Sequence, residues 1–141
     1  NMYKLRTDIE SEKKFEDKLA KVMPQLSEIL HIHDFYYVDS NGKMHAVLDK
    51  NFTADASDLP NIMEEDLLSQ GSLELIKKHS PKFYKALDDN GFESVLISRI
   101  RKNNEIKGYL VCAVNRSLRI WQENECAILY YLAGLLSDEM I

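Results

Sequence analysis

At 141 residues, with 45% apolar and 29% charged residues, the chain suits one domain with a core of ordinary size and is too apolar for intrinsic disorder. Its 18 Lys and Arg against 23 Asp and Glu leave a net charge of −5. That balance opposes general attraction to phosphate backbones or anionic lipid, so nucleic acid and membrane surfaces are not expected as partners.

The two cysteines, Cys112 and Cys126, form no Cys-x-x-Cys pair and follow no secretory segment, which points to reduced thiols and a cytoplasmic location. From Lys4 onward the N-terminus is charged, so this segment is expected to carry neither signal peptide nor anchor. An anchor elsewhere in a longer parent stays open.

In chain order, Thr7-Asp8-Ile9-Glu10 has the capping-box form and predicts a helix start. Phe15, Leu19, Val22, Leu26 and Ile29 follow at spacings of four and three, a short heptad-like seam with charges on the other faces. Pro24 removes a backbone donor and crowds the preceding turn. A lead-in helix over residues 1–23 and a domain over residues 24–141 are therefore expected, with the second helix running from 24 to 31. Phe35 to Val38 and Met44 to Leu48 flank Ser40-Asn41-Gly42-Lys43, a hairpin signal because Asn-Gly tolerates positive φ.

Lys50 to Gly71 reads as irregular, with Ile62, Met63, Leu67 and Leu68 suiting one short amphipathic helix, and Ser72 to Ile76 fits a strand or a helical turn equally. Ser80-Pro81 opens a helix that Asn90-Gly91 closes. Strands Ser94 to Ile100 and Ile106 to Asn115 then form a second hairpin through Asn103 and Asn104.

After Arg119-Ile120-Trp121 comes a final helix in which the eleven residues Cys126 to Leu136 carry no charge. Such a helix must be covered all round, and it is far short of the ~20 residues that span a bilayer. The cover must be a second helix or a second subunit. The pattern still runs at Met140, which reads as a piece of a longer protein. The predicted class is α+β: an antiparallel sheet with the N- and C-terminal helices on one face and a helical and loop insert on the other.

Three stretches of this order resemble the GAF domain, a regulatory module of bacterial signalling proteins. SPKFYKALDDNGFESVLISRI (Ser80 to Ile100) is similar to that family's helix, glycine turn and serine-led central strand. NEIKGYLVCAV (Asn104 to Val114) is similar to its hairpin with a glycine before the last strand, and SLRIWQENECAILYYLAGLL (Ser117 to Leu136) to its aromatic-led final helix. Gln122 departs from the threonine or serine usual at that helix cap. The related PAS fold shares the outline but does not predict a glycine-turn helix just before the central hairpin.

The resemblance implies a cytoplasmic sensory domain that binds a small molecule, forms a homodimer and controls an adjoining output domain. That output would be cyclic-di-GMP turnover, as in diguanylate cyclase-associated modules, or a histidine kinase. No enzyme activity, cofactor or metal is expected of this segment. Two alternatives stand beside it: a ligand-free dimerisation module, and a thiol redox enzyme of the methionine sulfoxide reductase type, whose pocket cysteines Cys112 and Cys126 do not match in position.

Strand alternation sends Leu110, Cys112 and Val114 to one side of the last strand and Tyr109, Val111 and Ala113 to the other. The more aliphatic set is assigned to the terminal helices. Tyr37, Ser94, Ser98 and Tyr109 are then expected to line a ligand pocket under the insert, the alternative being a filled core. Phe15, Leu19, Val22, Leu129 and Leu136 are expected at the dimer interface. His31 and His33 alternate but have no third ligand in view, and the carboxylates of Glu64-Glu65-Asp66 and Asp88-Asp89 read as solvated faces.

Overall fold

The computed structural model describes residues 2–140. Helix α1 spans Met2–Ser11 and α2 spans Phe15–Leu30. The first helix thus starts before Thr7, whose Oγ1 donates back to Tyr3 O at 3.0 Å instead of capping. Nor does the chain break at Pro24, which lies inside α2; the break falls at residues 12–14. The buried stripe Leu19, Val22, Met23, Leu26 and Leu30 continues across the proline, so packing outweighs the lost bond. At the break, buried Lys18 donates from Nζ to the carbonyls of Ile9 (2.8 Å) and Glu12, capping the end of α1.

Strands β1 (Asp34–Asp39) and β2 (Lys43–Ala46) form the first hairpin. Its loop is the three residues Ser40 to Gly42, with Gly42 at φ 82° and Asp39 Oδ1 accepting from the N–H groups of Asn41 and Lys43. Strand β3 (Thr53–Asp55) pairs with β2, a short 3-10 turn covers Leu59–Ile62, and β4 spans Leu67–Gln70. Leu67 and Leu68 therefore belong to a strand and not to the expected helix. Their backbone pairs with Ser98 and Ile97, which gives the central sheet its margin on that side.

The open segment after Gly71 resolves as α3 (Glu74–His79). Helix α4 (Pro81–Asp89) begins where Ser80-Pro81 predicted, but Ser80 does not cap it. The distant Asp58 does, accepting from the backbone N–H groups of Lys82 (2.7 Å) and Phe83 (3.0 Å).

Strands β5 (Ser94–Lys102) and β6 (Glu105–Val114) turn through Asn103 and Asn104, both at positive φ (54° and 65°). Helix α5 spans Glu123–Asp138, with Glu125 Oε1 accepting from the N–H of Gln122 at 2.8 Å. Its last turn is tied to the sheet margin: Ser137 Oγ donates to Arg101 O at 2.5 Å, and Lys102 Nζ to Met140 O. Asp66, read as a solvated carboxylate, instead accepts from Arg99 Nε (3.0 Å) and Arg101 Nη2 (3.2 Å).

The six strands form one antiparallel sheet in the order β3-β2-β1-β6-β5-β4. One face carries Leu96, Leu110 and Cys112 against α1, α2 and α5. The other carries Val95, Ile97, Tyr109, Val111 and Ala113 against the insert and α4. The split of β6 follows the predicted alternation.

The cover for α5 comes from within the chain. Leu19, Val22, Leu129 and Leu136, expected at a dimer interface, are buried in the intramolecular core, and Phe15 packs on Tyr37. The heptad-like seam is the inner face of α2, and within the uncharged run Cys126 to Leu136 of α5 only Ala127, Tyr130 and Gly134 are exposed.

Candidate functional site

The four residues expected to share a pocket do not converge. Tyr109 faces the insert, where Met44, Leu59, Ile76, Phe83 and Leu87 are all fully buried. Ser94 and Ser98 share the helix-side parity of Leu96 and Ile100. Ser94 Oγ lies 2.9 Å from Gly71 O and 2.5 Å from Arg116 O, pinning two loops, and Ser98 is buried. Tyr37 also points to the helix side, because its neighbours Tyr36 and Val38 take the insert side.

Tyr37 instead forms a wall of a cleft of about 320 Å³ between the N-terminal half of α2, the first hairpin and the loop after β2. Phe15 and Leu19 line it from α2, and Val47 and Phe52 from the hairpin side. The ring of Phe15 lies 4.5 Å from that of Tyr37, and the His45 ring stacks near Tyr37 at 6.1 Å and 20°. Burial, with a smaller contribution from nearby Asp39, pushes the Tyr37 hydroxyl up to about 12, so it stays protonated.

His45 is held by Asp39: its Nε2 donates to Oδ2 at 2.9 Å. Burial works against ionisation of Asp39, but hydrogen bonds from His45, Lys43 N and Asn41 N outweigh it and keep the carboxyl below its usual range. The hairpin turn therefore sets the orientation of the imidazole that faces the cleft. His45 was missed from sequence, although pairing the strands across the loop places it opposite Tyr37, which is the signal that finds it.

Gly108 makes the wall possible. A Cβ there would lie 2.6 Å from Val38 O and 2.7 Å from Tyr37 Cε1, so only glycine lets the ring settle on β6. Gly108→Ala is expected to cost about 1–3 kcal/mol by overpacking and to displace Tyr37. Urea denaturation combined with the ring-proton shifts of Tyr37 measures both, and unchanged values would contradict this packing.

His31 and His33 are exposed at the α2–β1 junction, and among the described residues no three His, Cys, Asp or Glu side chains gather as a metal site. Cys112 is fully buried, and burial pushes its thiol far up. Cys126 is half-buried, and burial followed by Glu125 raises its thiol too, so thiolate formation is disfavoured at both.

The fold and site together define an α+β architecture: one antiparallel sheet, a helical layer on one face, an insert on the other, and an aromatic cleft at the helix–hairpin boundary. No family model matches the sequence, and no curated protein matches it. Solved structures do. The GAF domain of a phosphoenolpyruvate-protein phosphotransferase from Coxiella burnetii superposes with a TM-score of 0.74 at 19% identity, covering 98% of this chain and 89% of that one. The free methionine-R-sulfoxide reductase from Neisseria meningitidis gives 0.70 at 13% identity, covering 98% and 84%. A bacteriophytochrome from R. palustris gives 0.72 at 9% identity, covering 97% of this chain and 35% of that one. The chain has the GAF-domain fold.

Proposed function

We propose that this chain is a sensory or regulatory module that takes a small molecule in the cleft between α2 and the first hairpin and reports its presence through α2 to an adjoining output domain. The observation that carries this reading is the contact of Phe15 with Tyr37: a residue of α2 and a residue of the sheet share one wall of the cleft. A ligand between them favours whichever spacing of helix and sheet it fits, which shifts the population of two packings. The volume and the mixture of aromatic walls with a few polar groups suit a small ligand.

The thiol redox alternative gains nothing from the positions of Cys112 and Cys126. No helix among the described residues is long and apolar enough to cross a membrane.

The test is a thermal-shift screen of small molecules on the wild-type chain and on Ala20→Trp, which fills the cleft from an exposed position on α2. A ligand at ~100 times its dissociation constant adds about 2.7 kcal/mol. Hits that persist in Ala20→Trp would place the binding elsewhere and sink this reading.

A second reading, a ligand-free dimerisation module, is favoured by the filled insert face. It predicts a dimer in sedimentation together with an empty screen.

A further inference from the structure

We infer that the ligand class of this cleft is a small organic cation, an amine or quaternary ammonium compound; the inference rests on the reading of the cleft as a ligand site. Two independent features point the same way. The first is the wall: the rings of Phe15 and Tyr37, in mutual contact, line the cavity, while the ring of Phe52 at its margin packs on Tyr36. Aromatic faces present negative quadrupole charge to whatever lies against them, and a cation within about 6 Å of several such rings is bound by that field without a discrete counter-ion.

The second feature is charge. The ionisable residues around the cavity are Glu16 and Asp17 on α2, Asp49 and Lys50 on the loop after β2, and His45. Three carboxylates face one ammonium, and a fourth, Asp39, stands behind His45. Elsewhere many acids are matched: Asp66 by Arg99 and Arg101, Glu125 by Arg119, Asp89 by Lys85 and Asp55 by Lys82. Among the described residues Glu16, Asp17 and Asp49 enter no ion pair, although Asp49 accepts a backbone bond from Asn51. An aromatic cavity with unmatched carboxylates on both sides attracts a positively charged guest and repels an anionic one.

The apolar walls specify the guest further. A bare metal ion would find aromatic carbon where it needs oxygen ligands, whereas an alkylated ammonium presents methyl or methylene groups to the rings and its charge to the carboxylates.

The experiment uses charge-isosteric pairs on the isotope-labelled chain, followed by NMR: choline against dimethylbutanol, and phenethylamine against phenethyl alcohol. The expected result is saturable shifts at Phe15, Ala20, Tyr37 and His45 with at least one cation, about tenfold tighter than with its uncharged partner. Binding should weaken several-fold in the double variant Asp17→Asn, Asp49→Asn, whose positions are outside the core and whose melting curve checks the fold. Salt should weaken it as well.

If the uncharged partners bind as tightly as the cations, the cation inference is overturned while the cleft remains a ligand site. If neither member of either pair shifts the cleft resonances, the inference and the site fall together.

Discussion

Replacing Arg119 by methionine is expected to remove about 3–5 kcal/mol of stability, because it breaks a buried ion pair and strands its partner. Arg119 Nη2 meets Glu125 Oε2 at 2.9 Å, with side-chain exposures of 11% and 9%. The same guanidinium donates to His31 O at 3.2 Å and to Leu30 O, the carbonyl groups that end α2, and lies 3.7 Å from the ring centre of Trp121. One side chain thus closes the C-terminus of α2, anchors the N-terminus of α5 through Glu125 and covers the indole. With methionine in its place the Glu125 charge stays buried without a partner, and the two carbonyls lose their donors.

Thermal unfolding should show a drop of ten degrees or more, given the several degrees that each kcal/mol moves a domain of this size. Replacing Glu125 by glutamine in the same chain should restore part of the loss, since no buried charge then remains. A single variant within ~1 kcal/mol of wild type would mean that water reaches the pair and that the clasp is not a closed contact.

Phe83→Ala is expected to cost a similar amount, about 3–5 kcal/mol, through lost burial and the cavity left behind. Phe83 is fully buried on α4 and belongs to the cluster with Met44, Leu59, Ile76, Leu87, Ile97 and Val111, so nothing small is at hand to refill its space. Its own N–H is fixed by Asp58, which prevents the helix start from sliding inward.

The variant also separates two descriptions of the insert face. A permanently packed core gives the full penalty in urea denaturation. A collapsed binding pocket, able to rearrange its lining, gives less than ~1.5 kcal/mol and a looser native state.

The sequence was most legible where backbone chemistry is local. Asn41-Gly42 and Asn103-Asn104 fixed both hairpins because positive φ is costly for most other residues, and Ser80-Pro81 marked the start of α4 even though the capping carboxylate comes from Asp58, 22 residues earlier. The alternation of β6 could be assigned because its two sides differ in composition, tyrosine and alanine against leucine and cysteine.

What failed depended on tertiary contacts. Tyr36 and Tyr37 are chemically alike, so composition cannot say which faces the helices, and choosing the wrong one misplaced the pocket. Serine at 94 and 98 looked like pocket hydroxyls, whereas Ser94 serves two backbone carbonyls. Leu67 and Leu68 form a four-residue strand too short for periodicity to declare itself. The seam of α2 was correctly read as apolar and wrongly given to a second subunit, since a helix surface carries no mark of whether its cover is intramolecular. Lys18, which closes α1, looks like any solvent-facing lysine until its carbonyl partners are placed.

The tie between the end of α5 and the sheet bears on how this protein behaves when concentrated. Strand β4 pairs with β5 as far as Ser98 and the N–H of Arg99 is taken by Asp66 O, so the stretch of β5 from Ile100 to Lys102 would otherwise be an open strand, ready to accept another chain's backbone. Ser137 occupies the carbonyl of Arg101, and Lys102 turns its charge to the end of the helix. The final turn of α5 therefore works as a guard against strand-to-strand aggregation. Trimming or fraying that turn would uncover a template for β-addition well before the core itself came apart.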